Sequence, residues 1–393
     1  MKKRTVSLLL AIVMLMAVLP MNTMAAKKLE DVIFRDSRGN EVVIPGGADS
    51  CAVRVVEFNH GTPWTNDPLD TDPAEILGAP DRGNYSNGKG ISLGAGGTIV
   101  LDFNYFITDG EGMDIYVFEV GNDVEATKVE VSADLVNWIY VGDADGAISG
   151  VDINGKVAEG AKFKYVRLTD LKTYARGSYP GADIDAVAIM HARVPASGST
   201  WANTELEKAD LLGLIPDCLE DADLTKPITR AEFAAVSVKT YEAIEGVKAK
   251  NPSGNNPFKD TVDMEVLKAY ELGITTGTGD GTTFSPNDLL NREQAATMLT
   301  RVYKKTSMNG WTIAKDGEYT LEYTKPSPFS DDAKISGWAK DSVYFMAANK
   351  IIQGSEGKFM PKATTSAEQA AGYAQATREQ AILIAIRMVE NLK

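Results

Sequence analysis

Three arginines stand at an unexpected place in this sequence. Ile228-Thr-Arg-Ala-Glu-Phe233, Asn291-Arg-Glu-Gln-Ala295 and Thr377-Arg-Glu-Gln-Ala381 each lead into an apolar periodic run. Each therefore puts a cation at a helix start, where backbone N–H groups already make that end partly positive. Thr229, Asn291 and Thr377 are good N-caps, and Glu232, Gln294 and Gln380 three places on complete capping-box patterns. Arg230, Arg292 and Arg378 thus fall at first helical positions, where guanidinium, neighbouring N–H groups and helix dipole can converge on one anion. A carboxylate, planar and singly charged, suits bidentate pairing with Arg. The alternative is pairing with a nearby acid such as Glu232 or Glu379. Three equivalent placements argue for the anion, since exposed ion pairs contribute little.

Other candidate chemistry is sparse. His60 and His191 are the only histidines, which excludes a His-rich metal site and a His-Glu-x-x-His motif, and no Gly-x-Ser-x-Gly elbow or phosphate loop occurs. His60, beside Gly61-Thr-Pro-Trp64, could touch a sugar, although a solvated loop histidine is the commoner case. Asp109-Gly-Glu-Gly-Met-Asp114 and Asp183-Ile-Asp185 offer hard oxygen ligands for a structural Ca²⁺ without matching an EF-hand, and turn-forming, solvated acids are the plainer reading. The acids of the sandwich could in principle supply a carboxylate pair for glycoside hydrolysis, but no motif gives a positive catalytic signal, so binding rather than catalysis is expected. A net charge of -14 gives no footprint for nucleic acid.

These residues sit in two unlike halves that meet near residue 195, where Val194-Pro-Ala-Ser-Gly-Ser-Thr200 reads as a linker. Before it, the runs Thr98–Phe103, Asp114–Glu119, Lys128–Ser132, Trp138–Val141 and Lys164–Leu168 predict a β-sandwich. After it, Glu205–Leu212 and Glu265–Leu272 show helical periodicity. The expected fold class is multidomain: an N-terminal all-β sandwich over 27–195 and a mostly α-helical C-terminal half. Met1-Lys-Lys-Arg4, an apolar run from Leu8 to Leu19 and Thr23-Met-Ala-Ala26 make the three-part pattern of a secretory signal peptide over 1–26. The run is short for a bilayer and no other segment is apolar enough, so an exported protein with no transmembrane anchor is expected. Cys51 and Cys218, far apart, imply no disulfide framework.

The C-terminal half repeats itself. Trp201-Ala202 leads to Leu212-Gly-Leu-Ile215, and Trp338-Ala339 leads at the same spacing to Asn349-Lys-Ile-Ile-Gln-Gly354. A middle unit runs from Thr261 to Leu272-Gly-Ile-Thr-Thr-Gly277. Pro257-Phe-Lys-Asp260 and Pro328-Phe-Ser-Asp331 precede the second and third helices; Phe284-Ser-Pro286 and Phe359-Met-Pro361 follow them, ahead of the arginine helices. Together these residues resemble the S-layer homology repeat, with units at 196–246, 256–306 and 327–393. Trp311 to Tyr323, within a 307–326 insert, is expected as a β-hairpin across Asp316-Gly317.

The resemblance implies a compact three-unit helical assembly that holds a protein noncovalently on a Gram-positive-type cell wall. Its implied partner is an acidic secondary cell-wall polysaccharide, often carrying pyruvate ketals, with Arg230, Arg292 and Arg378 in grooves between units. A pyruvyl carboxylate matches the anion argued above, and three grooves would add avidity. Around them, Trp201 and Trp338 suit either stacking on sugar faces or packing as helix staples. Gly277 and Gly354 either let a ligand approach the backbone or, more plainly, cap helix C-termini. Asp260 and Asp331 either accept sugar hydroxyls or cap the helix that follows. Unit one lacks the Gly and Phe-x-Pro elements, unit two lacks the Trp, and unit three inserts Ala367–Ala374, which leaves Arg292 with the most complete surroundings.

In the first half, Val129–Trp138, Tyr165-Val-Arg-Leu-Thr169 and Gly181–Val187 resemble galactose-binding-like jelly-roll domains over about 50–192. That resemblance implies a sandwich whose loops bind glycans, sometimes with a structural Ca²⁺. The expectation is a secreted protein of the cell wall or S-layer surface that displays a glycan-binding sandwich. A wall-anchored carbohydrate-active enzyme, with catalysis in the sandwich, is the alternative.

Overall fold

The computed structural model describes residues 31–35, 41–67, 71–81, 90–120, 124–173 and 176–392. The signal-peptide pattern at 1–26 lies outside the described residues. Twelve strands are described in the first half: β1 (Val32–Arg35), β2 (Glu41–Ile44), β3 (Ala52–Asn59), β4 (Ile91–Ser92), β5 (Thr98–Ile107), β6 (Ile115–Glu119), β7 (Thr127–Ser132), β8 (Ile139–Ala144), β9 (Ile148–Val151), β10 (Phe163–Asp170), β11 (Asp183–Ile189) and β12 (Ala192–Arg193). One sheet runs β12-β5-β10-β7-β8 with β3 also on β5; the second runs β4-β11-β6-β9; β1 and β2 pair with each other. The five runs read as strands from the sequence correspond to β5, β6, β7, β8 and β10.

Side-chain alternation explains the two layers. In β10, Val166 and Leu168 point inward while Tyr165 and Arg167 face out, as one-sided burial requires. Ile99, Leu101, Val129, Val131 and Val166 of the first sheet meet Val117, Ile184, Val187 and Ile189 of the second in one core. β11 is buried almost throughout, because its other face packs with Phe118, Ile44 and Cys51 under the β1–β2 hairpin. Phe34 of that hairpin meets Phe118 edge-on at 5.0 Å.

The second half is helical: α1 (Asn203–Leu211), α2 (Arg230–Glu245), α3 (Met264–Glu271), α4 (Arg292–Ser307), α5 (Lys340–Ala348), α6 (Ser366–Ala370) and α7 (Arg378–Leu392). All three units feed one core, with Leu206 and Phe233, Val266 and Leu299, and Phe345 and Ile386 in a single cluster. The segments ahead of the arginine helices interlock by isolated β-bridges, Pro227 with Thr377, Thr229 with Leu289 and Asn291 with Gln375. This fixes the starts of α2, α4 and α7 relative to one another.

One reading from the sequence needs correction here. The Trp311–Tyr323 stretch is not a β-hairpin: Ile313–Glu318 forms a 3₁₀ turn. Its Asp316 carboxylate accepts from the Trp311 indole (2.8 Å) and from Lys304 (2.6 Å) on α4, so the Asp-Gly pair closes a turn against that helix. The Val194–Thr200 linker is tied down: Ala196 N–H donates to Asp210 (3.0 Å), and Ser199 donates N–H (2.8 Å) and Oγ–H (2.9 Å) to Glu379. Lys162 and Lys164 of the sandwich pair with Asp210 (2.6 Å) and Glu207 (2.9 Å), and Arg193 pairs with Glu220 (2.6 Å).

Candidate ligand grooves

The three arginines occupy the first positions of α2, α4 and α7. Reciprocal capping boxes hold these starts: Glu232 and Gln294 accept from the backbone N–H of Thr229 (2.9 Å) and Asn291 (3.2 Å), and Gln380 does the same for Thr377 (3.2 Å). Arg230 donates Nε–H to the Phe284 carbonyl (2.9 Å) with its guanidinium 4.9 Å above the Phe284 ring. Arg292 repeats this with Phe359, donating Nε–H to its carbonyl (2.8 Å) and lying 5.2 Å above its ring, and adds a bond from Nη2 to the Gln353 carbonyl (2.6 Å). The Phe-x-Pro element is therefore the seat of the arginine, with cation–π and carbonyl contacts fixing the fork. Burial pushes the pKa of both guanidinium groups down, and the nearest acids, Asp288 and Asp260 for Arg230 and Asp331 for Arg292, only oppose it.

Asp260 and Asp331 brace that seat. The Asp260 carboxylate accepts from the N–H groups of Phe284 (2.8 Å) and Ser285 (2.7 Å), and Asp331 from those of Phe359 (2.8 Å) and Met360 (2.8 Å). Neither caps the helix that follows, a role Asp263 takes for α3. The Asp260 carboxyl is held below the usual range by its backbone hydrogen bonds, that from Phe284 first.

Gly277 and Gly354 are not helix caps. The left-handed residues just after α1, α3 and α5 are Gly213, Gly273 and Lys350. Gly277, itself at φ +80°, could not carry a Cβ without meeting the Thr283 carbonyl at 2.6 Å and the Phe258 ring at 2.7 Å. At Gly354 an added Cβ would collide with the Lys358 carbonyl and the Phe329 ring. Both glycines let the loop beside the groove fold tightly against the aromatic ring of the Pro-Phe element.

Trp201 and Trp338 are 59% and 61% exposed, which rules out a buried staple for either. A serine two residues before each sets its place. Ser199 bonds to Glu379 and Ser336 bonds to Glu293 through both N–H and Oγ–H (2.8 Å each), the glutamates being those that follow Arg378 and Arg292.

Two cavities of like composition result. One, of about 490 Å³, is lined by Arg230, the Thr275–Gly279 loop, Gln294 and Arg301 of α4, and Trp338. The other, of about 230 Å³, is lined by Arg292, the Ile351–Gln353 loop, Gln380 and Arg387 of α7, and Trp201. Each draws residues from all three units. Arg301 and Arg387 were not singled out from the sequence, yet a signal exists: each arginine helix carries a cation nine residues on, Lys239, Arg301 or Arg387. About two and a half turns separate the pair, so one helix offers a cation to the groove on either side. Arg378 differs from the other two, because it pairs with Glu232 at 2.6 Å.

In the sandwich the four aspartates considered for calcium are split. Asp114 and Asp183 lie at opposite ends of the β6–β11 pair, whose register joins Ile115 to Ile189 and Glu119 to Ile184. Asp109 and Asp114 instead meet Asp152, with ligand oxygens within 4.8 Å of one another. The buried Asp114 already accepts from Gly110 N–H (2.9 Å), Ile153 N–H (2.9 Å) and the His191 ring (2.7 Å), a donor set that competes with a cation. Near the other end, burial pushes Glu119 up to about 9; the Glu125 N–H opposes this, while the Glu125 and Asp183 carboxyls add to it. His60 stacks on Trp64 at 4.0 Å. The outer face of the first sheet carries a cavity of about 430 Å³ lined by Trp138, Arg167, Lys128 and Glu130 among others, with the Arg167 guanidinium 4.3 Å above the Trp138 ring.

Helical units interlocked at their arginine-bearing starts, with grooves between them and a β-sandwich ahead of them, define a modular, multidomain chain. The family model for the S-layer homology domain matches residues 257–296 and 328–371, so the C-terminal half carries S-layer homology domains. An endoglucanase of Bacillus sp. (strain KSM-635) is 30% identical over 151 residues, 37% of this chain and 14% of that protein. Exoglucanase XynX of Acetivibrio thermocellus is 30% identical over 153 residues, 37% of this chain and 12% of that protein. The chain thus spans about an eighth of the length of these relatives, and their catalytic names describe those proteins. Among solved structures, the C-terminal domain of a chitobiase from Bacteroides fragilis aligns at 14% identity and TM-score 0.25, covering 36% of this chain and 93% of that one. The CBM32 of AlyQ, solved with 4,5-unsaturated mannuronic acid, aligns at 18% identity and TM-score 0.22, covering 36% and 98%. The sandwich is defined here by its own strand pairing.

Proposed function

We propose that this chain is an exported cell-surface protein held noncovalently on the wall by three S-layer homology units, at 196–246, 256–306 and 327–393, which bind an acidic, pyruvylated wall polysaccharide. The sandwich at 27–195 is displayed outward and binds a second glycan. The function is binding, not turnover.

The pair of matching grooves carries this reading. In each, a helix-start arginine is seated by a carbonyl and a phenylalanine ring, so its fork is held in place before a ligand arrives. An exposed indole beside it offers a stacking face for a sugar, and a second arginine offers further donors. The guanidinium fork, rather than the helix-start N–H groups, favours a planar anion such as a ketal carboxylate, since in α2 the N–H groups of Arg230, Ala231 and Glu232 already bond to Asp288, Pro286 and Thr229. For the sandwich, the support is the open sheet face, where Trp138 stands among charged side chains able to hydrogen-bond hydroxyls.

The test is sedimentation of the full chain with purified cell-wall sacculi. It should pellet with sacculi that retain their polysaccharide and stay in solution when that polymer has been stripped. Equal pelleting with stripped peptidoglycan would show that the ligand assignment is wrong.

A further inference from the structure

Arg230 and Arg292 sit over phenylalanine rings, but Arg378 has no such seat. The backbone shows which residue takes the place of the ring. Glu379 N–H donates to the Leu224 carbonyl (2.9 Å) as Glu293 N–H donates to Pro361 (3.2 Å) and Ala231 N–H to Pro286 (3.1 Å). Two residues before these acceptors stand Ala222, Phe359 and Phe284. Over an alanine, the Arg378 fork turns elsewhere: Nη1–H donates to the Asp223 carbonyl (3.0 Å), Nη2–H donates to Glu232 (2.6 Å), and the buried Nε has no hydrogen-bond partner.

Glu232 occupies the place where the other two arginine helices carry Gln294 and Gln380. Those glutamines line the open cavities of Arg230 and Arg292. We propose that Glu232 is a built-in carboxylate ligand that fills the third groove, so that the anchor binds two acidic saccharides rather than three. The Arg378 and Glu232 side chains are only 19% and 16% exposed, and Thr229 N–H also holds the carboxylate (2.9 Å). An incoming carboxylate would have to take the same Nη donor while leaving a second negative charge beside it, which like-charge repulsion and desolvation oppose. The rest of this groove departs in the same direction. Thr261 replaces the tryptophan, and Ala231 replaces the glutamate that holds the tryptophan-bearing turn in the other two. Lys239 replaces the second arginine and lies near Asp217 (3.9 Å) and Glu242 (3.8 Å).

This inference rests on the reading that the Arg230 and Arg292 grooves take a carboxylate. The experiment is calorimetric titration of the full chain with a methyl hexoside bearing a pyruvate ketal. The wild-type chain should show two sites. Glu232→Gln, which installs the residue that completes the capping box in α4 and α7, should add a third site with affinity at least about tenfold above any third-site binding in the wild type. Adding Arg378→Ala to that variant should return the count to two. Three sites in the wild type, or two in Glu232→Gln, overturns the built-in ligand. No binding by either chain instead overturns the carboxylate reading of all the grooves, and this inference with it.

Discussion

At the scale of single residues, a cation at the first position of a helix opposes the dipole, and Arg230 and Arg292 offset this through a carbonyl, a ring and a nearby braced aspartate. Lysine at 292 would keep the charge and lose the fork. Arg292→Lys should weaken binding of a pyruvate-ketal glycoside in that groove by about 2 kcal/mol, roughly thirtyfold, and lower stability by about 1 kcal/mol through lost carbonyl bonds. Calorimetry and thermal melts read the two effects separately; an intact affinity with a lowered melt would reduce Arg292 to a structural brace. Glu119 allows a pH prediction. Its folded pKa, about 9, lies above the ordinary carboxyl value of 4.5, so the folded chain holds a proton that the unfolded chain releases. That stabilisation is complete below pH 4.5 and is lost as pH rises toward 9. Glu119→Gln should therefore flatten the fall in melting temperature between about pH 5 and pH 9, and parallel curves for the two chains would refute the assignment. The arginines were legible from capping chemistry, which is local in sequence. The backbone-bracing role of Asp260 and Asp331 was not, because their acceptor bonds reach 24 to 29 residues along the chain.

At the scale of elements, each open groove is a helix start set against a tight loop, and glycine decides whether the loop can close. Gly354→Ala places a Cβ against the Lys358 carbonyl, backbone that cannot rotate away. The variant should lose about 2–3 kcal/mol of stability in denaturant titration, and the Arg292 groove should lose ligand through displacement of the Gln353 carbonyl that orients the guanidinium. Gly277→Ala should do the same to the Arg230 groove and spare that of Arg292. Loss of both grooves from either change would mean that the loops are not independent. The strands and helices themselves were readable from period two and period 3.6 patterns, as β5, β10, α1 and α3 illustrate. The Trp311–Tyr323 turn departs from the hairpin reading because the Asp-Gly signal is local, whereas the outcome is set by Lys304 and the Trp311 indole both donating to Asp316.

At the scale of the whole molecule, the question is whether sandwich and anchor act as one body. The chain between them reads as a linker by composition, and its geometry is set by Asp210, which no local pattern marks out. The Asp210 side chain is fully buried and receives the Lys162 ammonium (2.6 Å) on one oxygen and the Ala196 N–H (3.0 Å) on the other. One α1 residue thereby holds both the sandwich and the connecting segment. Removing one partner of such a buried pair strands the other, and the cost is about 3–5 kcal/mol where the charge cannot reach water. Asp210→Asn keeps the shape and removes the charge, so Lys162 should lose its main partner and the interface should loosen. The outer pairs, Lys164 with Glu207 and Arg193 with Glu220, are more exposed and more readily screened by salt. Differential scanning calorimetry should then resolve two transitions in Asp210→Asn where the wild type gives one, with the separation widening as salt is raised. Two transitions already present in the wild type would mean that the halves are uncoupled, and that the sandwich moves freely on the helical half.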